Sequence, residues 1–137
     1  MINKDKLFKL FIDGNEVVSD KTQEEVDNFL NGPYAKIGMF VKLIQNHYIF
    51  HQKLEKFLKK EQPNYNVEST KQASEFTVYN RAWSYISQLN LSDDKEVINS
   101  FDPITFSSTL ESAISYFESY EEYEKCAFLV KIKKLIK

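Results

Sequence analysis

The pattern that comes closest to a chemical site is a pair of histidines, His47 and His51, with Glu55 one turn further on. Side chains four residues apart share one face of a helix, so two imidazoles at this spacing can converge on one metal ion. A zinc protease would need a glutamate directly after the first histidine, and Tyr48 stands there. His51 also falls within an apolar stripe. The sequence therefore favours a packed or surface histidine pair and keeps the metal site as an alternative.

Four carboxylates, Glu118, Glu121, Glu122 and Glu124, crowd one bend near the C-terminus. Paired acids do acid–base chemistry only in a pocket that shifts their pKa values. On a solvent-facing turn they form a solvated face, which is the favoured interpretation. Glu121 and Glu122, with the neighbouring Tyr120, are candidates for docking a basic partner surface.

The single cysteine, Cys126, lies within a predicted helix. A free cysteine is most often a small buried side chain, and a nucleophilic one would need a histidine partner. One cysteine also excludes an internal disulfide and a cysteine-based zinc site. The sequence contains no glycine-rich phosphate loop and no nucleophile elbow. We therefore expect no enzymatic activity and no cofactor.

The aromatic segment around Trp83 could offer a stacking surface for a base. Trp83 and Tyr79 belong to a helical apolar stripe, however, and core packing is the favoured interpretation. Arg81 and Tyr85 fall off that stripe, which makes them candidates for contact with a partner.

The charge balance argues against a specific reader of DNA. The net charge is −2, with 18 basic and 20 acidic residues, and Arg81 is the only arginine, although bidentate recognition of phosphates and bases depends on arginine. An accessory nucleic-acid binder that uses lysine-rich helix ends remains the alternative. The lysines concerned are Lys53, Lys56, Lys59, Lys60, Lys131, Lys133 and Lys134.

The elements that must position these residues are mostly helical. Apolar periodicity and capping residues predict helices over residues 20–30, 33–60 and 71–89, with a loop over 61–70. A short helix capped by Ser92 or Asp93 follows, and a helical pair lies within residues 105–137. Ser108 and Glu111 match a capping box at the start of that pair. Residues 7–19 read as a β-hairpin around Asp13-Gly14-Asn15, and a short helix from Lys4 to Phe11 is the alternative.

These elements predict a mainly α fold, a single-domain helical bundle over residues 1–137. Residues 1–104 would hold the small β-hairpin and the helical body, and residues 105–137 the C-terminal helical hairpin. The 137 residues are 42% hydrophobic and 15% aromatic, a composition that favours a folded domain over a disordered chain.

The last helix carries the one recognisable motif. Its core reads Glu122-Tyr123-Glu124-Lys125-Cys126-Ala127-Phe128-Leu129. Residues 113–135 thereby resemble the UVR motif, a helical hairpin of nucleotide-excision-repair proteins and some protease regulators. Cys126 replaces the first alanine of that motif, and Val130 stands where arginine is common. The resemblance implies a protein–protein interaction hairpin without catalysis of its own.

The last helix is also apolar on two faces. At about 100° per residue, Tyr123, Cys126, Ala127 and Val130 fall on one side, and Phe128, Leu129, Ile132, Leu135 and Ile136 on the other. A helix that is apolar on two faces needs two partners. Phe128, Ile132, Leu135 and Ile136 therefore either close the chain's own core or bind another molecule.

The leading hypothesis is a small non-enzymatic protein that binds another protein, as an inhibitor, adaptor or assembly factor. A phage or mobile-element source would fit the size and composition, and a second copy of the chain is an alternative partner. The N-terminus lacks the apolar run of a signal peptide and no stretch has the length of a membrane span, so we expect a cytoplasmic protein without a membrane partner. A small metal-dependent enzyme using His47 and His51 is the least favoured hypothesis.

Overall fold

A computed structural model describes residues 20–137, which form six helices and no strand within that range. The helices are α1 (Asp20–Leu30), α2 (Pro33–Glu61), α3 (Val67–Ile86), α4 (Lys95–Ile98), α5 (Pro103–Ser119) and α6 (Tyr123–Leu135). The predicted mainly α fold is confirmed. The predicted β-hairpin and its helical alternative fall on residues 4–19, outside the described range.

The chain divides into two compact units at Gly32. The first unit, Met1–Gly32, contributes α1 to the described structure, and the second, Pro33–Lys137, contains α2 to α6. The internal boundary that the sequence placed at residue 104 falls inside the second unit.

Local sequence explains where α2 and α3 begin and end. Pro33 starts α2, at a position where its missing N–H is not needed. Lys59 and Lys60 lie in the last turn of α2 and complement the negative end of the helix dipole. The Asn66 side chain caps α3 by accepting a hydrogen bond from the backbone N–H of Ser69 at 3.2 Å. Helix α3 therefore begins inside the loop predicted over residues 61–70.

Helix α5 begins earlier than the sequence predicted. The Asp102 carboxylate accepts a hydrogen bond from the backbone N–H of Thr105 at 2.9 Å, and Pro103 fills the first turn. Hydrogen bonds from Thr105 lower the pKa of Asp102. Ser108 and Glu111 lie inside α5, so the predicted capping box is wrong.

The acidic bend joins α5 to α6, as predicted. The backbone N–H of Glu122 donates to the carbonyl of Phe117 at 2.9 Å, and that of Glu121 donates to Glu118 at 3.0 Å. Glu121 has a φ of 59°, in the left-handed region. These two bonds around a left-handed residue form a Schellman motif. Helices α5 and α6 pack against each other as a helical hairpin.

The hydrophobic core lies where the first half of α2 and the second half of α3 meet α4, α5 and α6. Its largest fully buried side chains are Ile37, Phe40, Ile86, Ile98, Phe106, Leu110, Phe117, Leu129 and Ile132. Residues 45–61 of α2 and 67–81 of α3 extend from this core, with Val78 and Tyr79 packed against its edge, and we call this helical pair the arm. Its one buried side chain is that of His51.

Candidate functional site

The second apolar face of α6 is covered by the core of the chain itself. Ile132 is fully buried, and Phe128, Leu135 and Ile136 are partly buried against the core. The Phe128 ring meets Trp83 edge to face, with 5.5 Å between ring centroids. Ile132 is therefore not available to a partner in this fold, and its three neighbours offer only partial surfaces.

Cys126 lies between α6 and α5. Its thiol donates a hydrogen bond to the carbonyl of Ile114 at 3.5 Å. Burial and the Glu118 carboxylate raise the pKa of Cys126, which keeps the sulfur protonated near neutral pH. This geometry suits a structural cysteine, since a nucleophile requires the thiolate.

The acidic bend remains accessible to solvent. Tyr120 is 54% exposed and Glu121 is exposed. Glu122 turns back instead, with an oxygen 3.1 Å from the ammonium of Lys125. That ammonium also lies 4.9 Å from the centroid of the Phe117 ring, in a cation–π contact. The bend thus offers two of its three candidate side chains to a partner.

The two histidines pack as a pair inside the arm. Their ring centroids lie 4.6 Å apart in an edge-to-face arrangement. His51 is 7% exposed, and its buried Nε2 has no hydrogen-bond partner in the part of the chain that the structure describes. Burial, with smaller contributions from His51 and Lys71, lowers the pKa of His47. Glu55, the third residue of the proposed metal set, forms an ion pair with Lys59 at 3.2 Å.

Within residues 20–137, no group of three or more histidine, cysteine, aspartate or glutamate side chains could hold a metal ion. The proposed metal site therefore has no third ligand from those residue types in the described part of the chain.

The lysines lie on two helices. Lys53, Lys56 and Lys60 are exposed on α2 and form no ion pair among the described residues. On α6, Lys131 and Lys134 are exposed. Lys133 instead lies 2.6 Å from a Glu111 carboxylate oxygen on α5, where it ties the C-terminal hairpin together. Of the seven lysines, Lys59 and Lys133 thus have carboxylate partners within the chain.

The arm exposes several large apolar side chains. Tyr48, Ile49, Phe50, Phe57, Tyr65 and Phe76, on the arm and the loop at its tip, are each at least half exposed. Phe50 and Phe57 are 60% and 59% exposed, and their seven-residue spacing puts them on the same side of α2. The extra breadth of apolar residues on α2 was the signal that could have identified this surface.

A groove of about 640 Å³ runs between α2 and α3 beside Phe50. Its walls include Leu43 and His47 from α2, with Ala73 and Thr77 from α3. Arg81 is exposed one turn beyond Thr77 and forms no ion pair among the described residues. The candidate Arg81 therefore lies next to the groove. Tyr85 follows on the same helix and is half-buried.

The opposite flank of the arm meets α5 in a second groove of about 600 Å³ with mixed charge. Lys71 and Glu75 lie in it, 3.9 Å apart. Tyr79 stacks on Tyr116 with 4.4 Å between ring centroids. Burial and the nearby Glu75 raise the pKa of Tyr79 to about 12, so its phenol stays neutral. These groups have partners within the chain, whereas the cations beside the first groove have none among the described residues.

Asn99 holds the end of α6, a role that no sequence pattern indicated. Its amide donates a hydrogen bond to the carbonyl of Leu135 at 3.1 Å and accepts one from the backbone N–H of Lys137 at 2.9 Å. An asparagine just after a short helix carries no periodic signal, so only the three-dimensional structure identifies this clamp.

Comparisons of the chain with family models, with curated proteins and with solved structures find no match. None of the helices described in residues 20–137 is both long and apolar enough to cross a membrane.

Proposed function

We propose that this chain acts by binding another protein through the exposed aromatic surface of the arm. The observation that carries the proposal is the pair Phe50 and Phe57, each about three-fifths exposed on one side of α2. Large exposed apolar patches mark interaction sites in soluble proteins, and aromatic side chains are enriched at interfaces. Inhibitor, adaptor and assembly factor are all roles that such a surface serves.

The test compares binding by the wild-type chain with binding by a Phe50→Ala/Phe57→Ala variant. Partners are captured from lysate, identified and purified, and their dissociation constants are measured by titration calorimetry. Losing two central aromatic anchors should weaken binding by at least about thirtyfold, as expected for interface hot spots. Ile104→Ala is the matched control, because Ile104 is 80% exposed and belongs to α5, which is not part of the arm.

Two outcomes would overturn the proposal. Equal binding by the double variant, the control and the wild-type chain would show that the arm is not the interface. A wild-type chain that captures no protein at all would reject protein binding itself.

A second candidate function is nucleic-acid binding by Lys53, Lys56 and Lys60, which are exposed and form no ion pair among the described residues. Binding of this kind weakens steeply as salt rises, because phosphate contacts release counterions. A mobility shift at low salt that Lys53→Glu/Lys56→Glu abolishes would support it. No shift at low salt would reject it.

A further inference from the structure

The groove between α2 and α3 has the shape that a third helix needs. Phe50 rims it on α2, and Leu43 and Val78, both partly buried, lie deeper. On α3 the wall includes Ala73, Ser74 and Thr77, which all have small side chains. Helices pack with about 8–10 Å between their axes, and small side chains permit the close end of that range. The groove can therefore accept an apolar helix face lying along the arm.

Positive charge predominates around this groove. Lys53 lies one turn beyond Phe50 on α2, and Arg81 lies one turn beyond Thr77 on α3. Both are exposed, and neither forms an ion pair among the described residues. Because α2 and α3 run in opposite directions, the two cations lie diagonally across the groove.

Carboxylates of the arm lie mostly elsewhere. Glu55 is paired with Lys59, and Glu75 lines the groove on the opposite flank. By helical spacing, Glu61 falls on the same side of α2 as Phe50, but it is the last residue of the helix. Among the described residues, an occupant of the first groove thus meets two cations without ion-pair partners, with Glu61 at the tip as the carboxylate on that side of α2.

We propose that this groove binds an amphipathic helix of a partner protein whose apolar stripe is flanked on both edges by carboxylates. This inference rests on the proposed protein-binding function. Apolar side chains spaced three and four residues apart on that helix would contact Phe50 and the groove floor. Its carboxylates would pair with Lys53 on one edge and with Arg81 on the other, where the guanidinium can hold a carboxylate through two hydrogen bonds.

The probes are two synthetic amphipathic helical peptides with the same leucine stripe. One carries glutamate and the other lysine at the flanking positions. Fluorescence anisotropy measures their affinity for the full chain. We expect the glutamate peptide to bind at least about tenfold more tightly than the lysine peptide at low salt, with the preference shrinking as salt rises.

Reversing the charges of Lys53 and Arg81 tests whether these two residues cause the preference for the glutamate peptide. Lys53→Glu/Arg81→Glu should cancel or invert the preference between the two peptides. Lys131→Glu/Lys134→Glu is the matched control, with the same change in net charge on exposed positions of α6, and it should leave the preference in place. Circular dichroism of each variant verifies that the helical content is retained.

The outcomes separate this inference from the function on which it rests. Equal affinity for both peptides, or a preference unchanged by Lys53→Glu/Arg81→Glu, overturns the acidic-helix inference. The proposed function then still stands if Phe50→Ala/Phe57→Ala weakens a captured protein partner. Preferential binding of an oligonucleotide, or self-association of the chain through the arm in sedimentation experiments, would also overturn the inference.

Discussion

His47 is a residue at which protonation and folding are coupled. Its ordinary pKa is 6.5, and burial between α2 and α3, with His51 and Lys71 nearby, lowers the pKa in the folded chain. The unfolded chain therefore binds this proton more readily than the folded chain does. The corresponding stability is present above pH 6.5 and is lost as the pH falls from there through the lowered folded pKa.

We predict that the melting temperature of the wild-type chain falls as the pH drops below 6.5, and that His47→Gln reduces this dependence. Melting curves at half-unit pH steps, followed by circular dichroism, measure the effect. Other titrating groups give a background slope, so the comparison is between the two slopes. Identical slopes would mean that His47 does not contribute to the pH dependence.

Single residues also show how much of the candidate surface could be predicted. Arg81 was identified because it falls off the apolar stripe of its helix, and it is exposed beside the groove. Phe50 and Phe57 lie at positions that widen the apolar face of α2 beyond one stripe, a pattern that also fits a helix buried on several sides. Helical periodicity gives the direction of a side chain, but it cannot tell whether another helix reaches that side.

At the scale of elements, the connection between α5 and α6 stores backbone strain. Glu121 adopts a φ of 59°, where a residue with a Cβ atom is disfavoured by about 1–2 kcal/mol. Glycine takes this conformation freely, although it also loses more conformational entropy on folding. The hydrogen bonds of the Schellman motif use backbone atoms, so glycine can retain them.

We predict that Glu121→Gly raises the free energy of unfolding by about 0.5–1 kcal/mol. Urea denaturation measures the change, with Glu124→Gly as the control. Glu124 lies in the first turn of α6, where glycine should lower stability. A loss of stability in both variants would contradict the prediction.

The ends of a helix could be predicted where the residues at that point indicate only one local structure. Asn31-Gly32 before Pro33 ends α1 and starts α2 as expected. By residue type Asp102-Pro103 is a pair that ends a helix, yet it caps and starts α5. A capping aspartate followed by proline fits both the end of one helix and the start of the next, so sequence alone could not fix that boundary.

At the scale of the whole second unit, helix lengths explain why the arm exists. Helix α2 has 29 residues and α6 has 13, which correspond to about 43 Å and 20 Å at 1.5 Å per residue. Helix α2 is longer than the helices that cover its first half, and among the helices described in residues 33–137 only α3 accompanies it to the tip. The covering of Ile132 by the core and the exposure of Phe57 both depend on this arrangement, which no local pattern encodes.

The arm should therefore open more easily than the core. Local stability rises with the number of buried apolar contacts. After Ile44, His51 is the one residue of α2 whose side chain is buried. We predict that backbone amides of residues 52–61 exchange with deuterium faster than those of residues 37–44 and 110–117. Exchange followed by NMR at pH 7 measures the difference residue by residue.

Two substitutions test whether the arm and the core unfold separately. Leu54→Ala removes a partly buried side chain of the arm and should accelerate exchange there while leaving the core amides unchanged. Phe117→Ala empties a fully buried core position and should lower the global free energy of unfolding by about 3–5 kcal/mol. If Leu54→Ala accelerated exchange in the core as strongly as in the arm, the two would form one cooperative unit. The exposed aromatic surface would then have to bind partners as a rigid body, whereas separate opening lets the arm adjust its two helices to the helix it binds.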